Sequence, residues 1–129
     1  MTPDLWTLVA TVGLAVLQVT LASIAAKRQT GMRWALSPRD NPIELTGMAA
    51  RLARAQANLY ESLPLFATLV LVAHVAGEAD RWTHMGAQLY FWSRLFYVPA
   101  YASGLPLLRT AFWTLSIAGL AVVALGLFV

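Results

Sequence analysis

Arg51-Leu52-Ala53-Arg54-Ala55-Gln56-Ala57-Asn58-Leu59-Tyr60-Glu61 carries three formal charges, and the sixteen residues directly after it, Ser62 to Gly77, carry none. At roughly 100° per residue, Arg51, Arg54, Asn58 and Glu61 fall within about 80° of helical arc, so they form one polar stripe. Leu52, Ala53, Ala55, Leu59 and Tyr60 make the other face. The stripe is the polar beginning of a helix whose remainder enters lipid. Ionisable side chains in that position are costly, and by default they face a partner, a cavity or a ligand.

Composition gives the same class. The chain has 129 residues, 59% of them hydrophobic and 12% charged, with a mean hydropathy of +0.63. A soluble domain carries about 25% charged residues, so the chain reads as an all-α integral membrane protein. Residues 1–129 leave room for one domain. The net charge of +3 suits anionic headgroups or an anionic ligand, and no Lys/Arg run is dense enough to argue for nucleic acid. With no cysteine, disulfides, Cys-ligated metal and a Cys nucleophile are excluded, so any thiol chemistry must use the substrate's own sulfur.

In order along the chain, Leu5 to Ala26 is 22 uncharged residues, enough to cross about 30 Å of hydrocarbon. It is too long for a signal-peptide core and is preceded by Asp4, so it reads as a retained first span. Lys27 to Glu44 is polar and reads as a loop. Its end, Asn41-Pro42-Ile43-Glu44, has the residue types of a helix start, which puts the second helix at Pro42 to about Ala76. Gly77 to Arg81 is a short turn, and a third span follows from about Arg81 to Ser103. Arg94, Tyr97 and Tyr101 make a second polar stripe on it. Arg109 stands at the mouth of the last span, Thr110 to Val129. The expected architecture is a four-helix membrane bundle.

Orientation follows from the distribution of Lys and Arg. The first loop has four of them, and Arg94 and Arg109 flank the third, whereas the second has Arg81 against Glu78 and Asp80. Loops one and three are expected in the cytoplasm and both termini outside, so the two polar stripes meet at the inner face.

Arg54-Ala55-Gln56-Ala57-Asn58-Leu59-Tyr60-Glu61, followed by Leu63-Pro64, closely resembles the Arg-Ala-x-x-Asn-x-x-Glu-x-x-Pro motif of the MAPEG family, the membrane-associated proteins in eicosanoid and glutathione metabolism. Arg94-Leu95-Phe96-Tyr97-Val98-Pro99-Ala100-Tyr101 is similar to the Arg-x-x-Tyr-x-x-x-Tyr segment of its leukotriene-synthase and microsomal glutathione transferase branch. Ser37 to Asp40 and Leu45 to Gly47 resemble the small bacterial members, which implies a bacterial inner membrane. The resemblance covers nearly the whole chain and implies a homotrimer, with glutathione as co-substrate lying between adjacent subunits. By position, Arg51, Arg54, Gln56, Asn58, Glu61, Arg94, Tyr97 and Tyr101 are the implied glutathione ligands. Arg109 and Tyr97 are implied to stabilise the thiolate. Ala57 stands where prostaglandin-forming members have a second arginine, which favours the leukotriene-synthase or transferase type of site.

The residue types suit that chemistry. Glutathione has two carboxylates, an ammonium and a thiol with a pKa of about 8.5. Arginines fork onto carboxylates, Glu61 can take the ammonium, and Asn58 can bond the peptide. A thiolate so formed would attack a hydrophobic electrophile or lipid arriving through the bilayer. Each residue also has a plainer reading. Arg54 could pair with Glu61 or Asp40, and Tyr97 and Tyr101 could be interface aromatics among the membrane lipids. His74 and His84 have no carboxylate pair in the sequence and argue for no metal site. The expected activity is a glutathione S-transferase-like or peroxidase detoxification enzyme. The alternative is a lipid-binding or scaffold protein of the same fold without chemistry.

Overall fold

The computed structural model describes all of residues 1–129 and contains only helices. They are α1 (Pro3–Thr30), the one-turn α2 (Met32–Ala35), α3 (Gly47–Ala76), α4 (Arg81–Ala102) and α5 (Pro106–Gly126). α1, α3 and α5 are long and apolar enough to cross a membrane. At 22 residues α4 has the length, but Arg81, Thr83, His84, Gln88, Ser93 and Arg94 make it more polar.

Local chemistry sets most of the ends. Thr2 caps α1 by accepting from the Leu5 amide at 3.3 Å, with Pro3 in the first turn, and Lys27 and Arg28 occupy the last turn, where cations favour the helix dipole. α3 closes on Gly77 at φ 76, where the Glu78 and Gly77 amides donate back to Ala73 and His74 as a Schellman motif. Asp80 and Thr83 form a reciprocal capping box at the start of α4.

Two sequence expectations are corrected. Lys27 does not open a loop, because α1 continues to Thr30 and α2 follows at once. The third helix starts at Gly47, and Asn41-Pro42-Ile43-Glu44 is not helical. A distant contact overrides the local signal there. The Gln29 side chain accepts from the Thr46 amide at 3.0 Å and donates to the Thr46 carbonyl at 2.7 Å, which holds the chain extended up to that residue. The Trp34 indole also donates to the Asn41 carbonyl at 2.7 Å.

The core is Ala15, Leu59, Phe66, Val70, Ala87, Tyr90, Leu120 and Val123, drawn from all four long helices. Phe66 and Tyr90 stack with centroids 4.1 Å apart, and the Tyr90 hydroxyl shares a 2.8 Å hydrogen bond with Ser62. α4 and α5 touch backbone to backbone. A Cβ on Gly86 would lie 2.6 Å from the Val123 amide nitrogen, and one on Gly119 would lie 2.6 Å from that of Tyr90. Outside this core, Val9, Val12, Val16, Leu71, Val72, Val75 and Leu125 are exposed, an apolar surface suited to lipid or another apolar face rather than to water. α3 runs antiparallel to α4, which brings the polar start of one beside the polar end of the other.

Candidate functional site

At the junction of α3, α4 and α5 a cavity of about 400 Å³ is lined by Arg54, Ala57, Asn58, Glu61, Tyr97, Tyr101, Arg109, Thr110 and Trp113. Small-molecule sites fall at about 300–1,000 Å³. α3 contributes Arg54, Asn58 and Glu61 from one face, as the spacing of the stripe requires, and α4 contributes Tyr97 and Tyr101 one turn apart. Pro106 starts α5 so that Arg109 points back over Tyr101, its guanidinium carbon 5.2 Å from the ring centroid.

The polar atoms are arranged with few internal commitments. Arg54 Nε donates to the Tyr101 hydroxyl at 3.0 Å, and Tyr97 and Tyr101 meet edge to face at 5.6 Å. The Tyr97 side chain is buried, yet its hydroxyl makes no hydrogen bond within the chain. Arg54, Arg109 and Glu61 line one space without forming an ion pair. The only salt-bridge contact in the protein is Asp4 with His84, so the pairing of Arg54 with Glu61 or Asp40 does not form. A smaller cavity of about 130 Å³ adjoins, lined by Arg51, Arg54, Tyr101, Gly104, Leu105, Pro106 and Arg109. Arg51 is tethered there by donating to the Ala102 carbonyl at 3.1 Å.

Two expected ligands lie elsewhere. Arg94 is 1% exposed and sits behind the cavity, donating from Nη1 to Asn58 Oδ1 at 2.8 Å with its guanidinium carbon 4.3 Å from the Tyr97 ring centroid. Arginine has only donors, so the Asn58 atom facing it is the oxygen. Its amide nitrogen is left as the group Asn58 can offer the cavity. Gln56 is on the opposite side of α3, in a groove against α1 that includes Ser23, Lys27, Thr30, Trp34 and Arg39. Within one chain it does not join the site. In the other direction, Thr110 and Trp113 line the cavity without having been singled out in the sequence, since they lie in an almost uniformly apolar run.

A cavity on the α3 stripe, closed by the α4 tyrosines and an arginine of α5, is the arrangement the two motifs imply. The MAPEG family profile matches residues 7–129. The chain belongs to the MAPEG family. Among curated proteins none matches it significantly. Family membership and the apolar helices make it an integral membrane protein. The family match is consistent with a glutathione-related function at a membrane.

The histidine reading is corrected here. His84 does have a carboxylate partner: its Nδ1 lies 3.1 Å from Asp4 Oδ1, across 80 residues of sequence. No cluster of three or more His, Cys, Asp or Glu side chains is assembled that could hold a metal.

Proposed function

We propose that this MAPEG protein is a four-span membrane glutathione transferase of the leukotriene-synthase and microsomal transferase type, working as a trimer. The observation that carries the reading is that Arg54, Arg109 and Glu61 face one cavity and leave one another unpaired. Separated charges of both signs suit a zwitterionic ligand. The arginines, with Arg51 next door, take its carboxylates, and Glu61 takes its ammonium. Asn58 offers an amide N–H to a peptide carbonyl. An apolar carrier protein would have no use for such a set.

The chemistry requires the thiol to ionise. A thiol with a pKa of about 8.5 is mostly protonated at neutral pH, and each unit of lowering takes about 1.4 kcal/mol of preference for the anion. The Arg109 guanidinium and the uncommitted Tyr97 hydroxyl supply that preference, and the released proton passes to water. The sulfur then forms a bond to an electrophilic carbon as the carbon's bond to its leaving group breaks. Thr110 and Trp113 on α5 form the lipid-side wall along which an apolar electrophile enters.

The position of Gln56 supports placing the ligand between subunits. A glutathione held by Arg54, Asn58 and Glu61 of one copy can meet Gln56 and Lys27 from the groove of the next. Conjugation of glutathione to an aryl halide by detergent-purified protein tests the reading. Turnover in the wild type that Arg54→Ala and Arg109→Ala both reduce is expected. Tight glutathione binding without turnover on any electrophile would favour the scaffold alternative.

A further inference from the structure

Four buried side-chain nitrogen and oxygen atoms in this protein have no hydrogen-bond partner, and they belong to two residues: Nε2 and Oε1 of Gln18, and Nε and Nη2 of Arg94. Gln18 is 4% exposed and Arg94 is 1% exposed. Leaving a buried polar group unmet is costly, and more so for a charged one, so four together mark an interaction that protein atoms alone do not complete.

The amide of Gln18 and the guanidinium of Arg94, which reaches Asn58 and the Tyr97 ring, fall at one depth. The Gln29 to Thr46 hydrogen bonds fix the register of α1 against α3. Counting equally far along these antiparallel helices from that contact brings Gln18 level with Ala57 and Asn58. Arg94 reaches Asn58 directly. Gln18 also lies on the buried stripe of α1, with Asp4, Thr7, Thr11 and Leu14, and that stripe faces α4: Asp4 meets Thr83 and Thr7 meets Gln88. The free atoms are complementary. Arg94 has N–H groups to give, and Gln18 has an oxygen to accept and an amide to donate. The two side chains make no direct hydrogen bond, and buried water commonly bridges polar groups left in that state.

We infer that Gln18 is a positioning residue for the site: through buried water it completes the hydrogen-bond shell of Arg94, which in turn holds Asn58 with its amide nitrogen toward the ligand. α1 contributes nothing to the lining of the 400 Å³ cavity, yet it sets the orientation of one of its donors. The consequence for ligand affinity rests on the glutathione reading. The link between Gln18 and Arg94 does not.

The experiment therefore has two arms, on full-length protein in detergent. In the first, 15N-arginine-labelled, ligand-free protein is compared with Gln18→Leu, which cannot bond, and Gln18→Glu, which places a carboxylate beside the guanidinium. The Arg94 Nε–H resonance, assigned by its loss in Arg94→Lys, is expected to show a cross-peak to a long-lived water in the wild type. That cross-peak is expected to vanish in Gln18→Leu, and the resonance to move downfield in Gln18→Glu. A resonance that Gln18→Glu leaves in place overturns the inference whether or not glutathione binds, and this variant suffices should Gln18→Leu fail to fold. In the second arm, Gln18→Leu is expected to raise the KM for glutathione about tenfold while changing kcat less than twofold, with Gln18→Glu restoring the wild-type KM. A wild type that binds glutathione alongside a Gln18→Leu variant of equal KM overturns the proposed effect on the site.

Discussion

The two ends of this bundle handle polar groups in opposite ways. At the Asp4 end the buried polar side chains are answered from within the chain. Asp4, 3% exposed, accepts from Thr83 at 2.8 Å and pairs with His84. Beside it Trp92 donates to Gln88, Gln88 to Thr7, and Thr7 to the Pro3 carbonyl, each at 3.0 Å or less. At the other end Arg51, Arg54 and Arg109 converge on two adjoining cavities with no carboxylate paired to any of them. Polar residues on membrane helices therefore divide by how they are satisfied. Groups that satisfy one another join helices, and groups left facing a space stay free to meet a ligand.

Substitutions break the comparison most clearly where the two ends differ most. Arg54→Ala is expected to weaken glutathione binding by about 3 kcal/mol, roughly a hundredfold, as loss of a charge-assisted contact does. It should leave thermal unfolding within about 0.5 kcal/mol of wild type, because no folded-state ion pair is lost. Calorimetric titration and thermal melts in the same detergent check both. Asp4→Ala should do the reverse. Loss of a buried acceptor of two hydrogen bonds is expected to lower stability by about 2 kcal/mol, with glutathione affinity unchanged in the surviving folded protein. Similar effects of the two variants on both readouts would erase the distinction between the ends.

A smaller effect sharpens the role of Arg109. If it lowers the thiol pKa by about one unit, Arg109→Ala should slow conjugation about tenfold at neutral pH, and the deficit should close as pH rises through the ordinary thiol range. A deficit constant with pH would make Arg109 a binding residue only. The smallest expected effect is that of salt. Raising ionic strength should weaken glutathione binding several-fold by screening open guanidiniums, while the stability contributed by the buried Asp4–Thr83 hydrogen bond hardly changes.

Much of the site is legible in the sequence because it is periodic. Arg54, Asn58 and Glu61 share a face by arithmetic, and Tyr97 and Tyr101 do the same on α4. The same arithmetic puts Gln56 on the far side of α3, where it is found. Only the resemblance grouped it with the others, and between subunits that grouping remains available. Most of what escaped the sequence has one physical cause, contact between distant segments. Asp4 and His84 meet across 80 residues, and Gln29, by gripping Thr46 from 17 residues away, overrides the helix start at Pro42. Arg94 looked like a ligand because it shares a stripe with Tyr97 and Tyr101, yet its long side chain turns inward to Asn58. Trp113 gave no signal because an aromatic in an apolar span reads as lipid-facing.

On the proposed function, an open set of unpaired charges grips a thiol-bearing zwitterion and ionises it. The most direct measurement adds glutathione to purified protein at neutral pH and follows ultraviolet thiolate absorbance. A rise that saturates with protein sites and is lost in Arg54→Ala is the expected result. Glutathione that binds with its thiol fully protonated, or does not bind, would contradict the account.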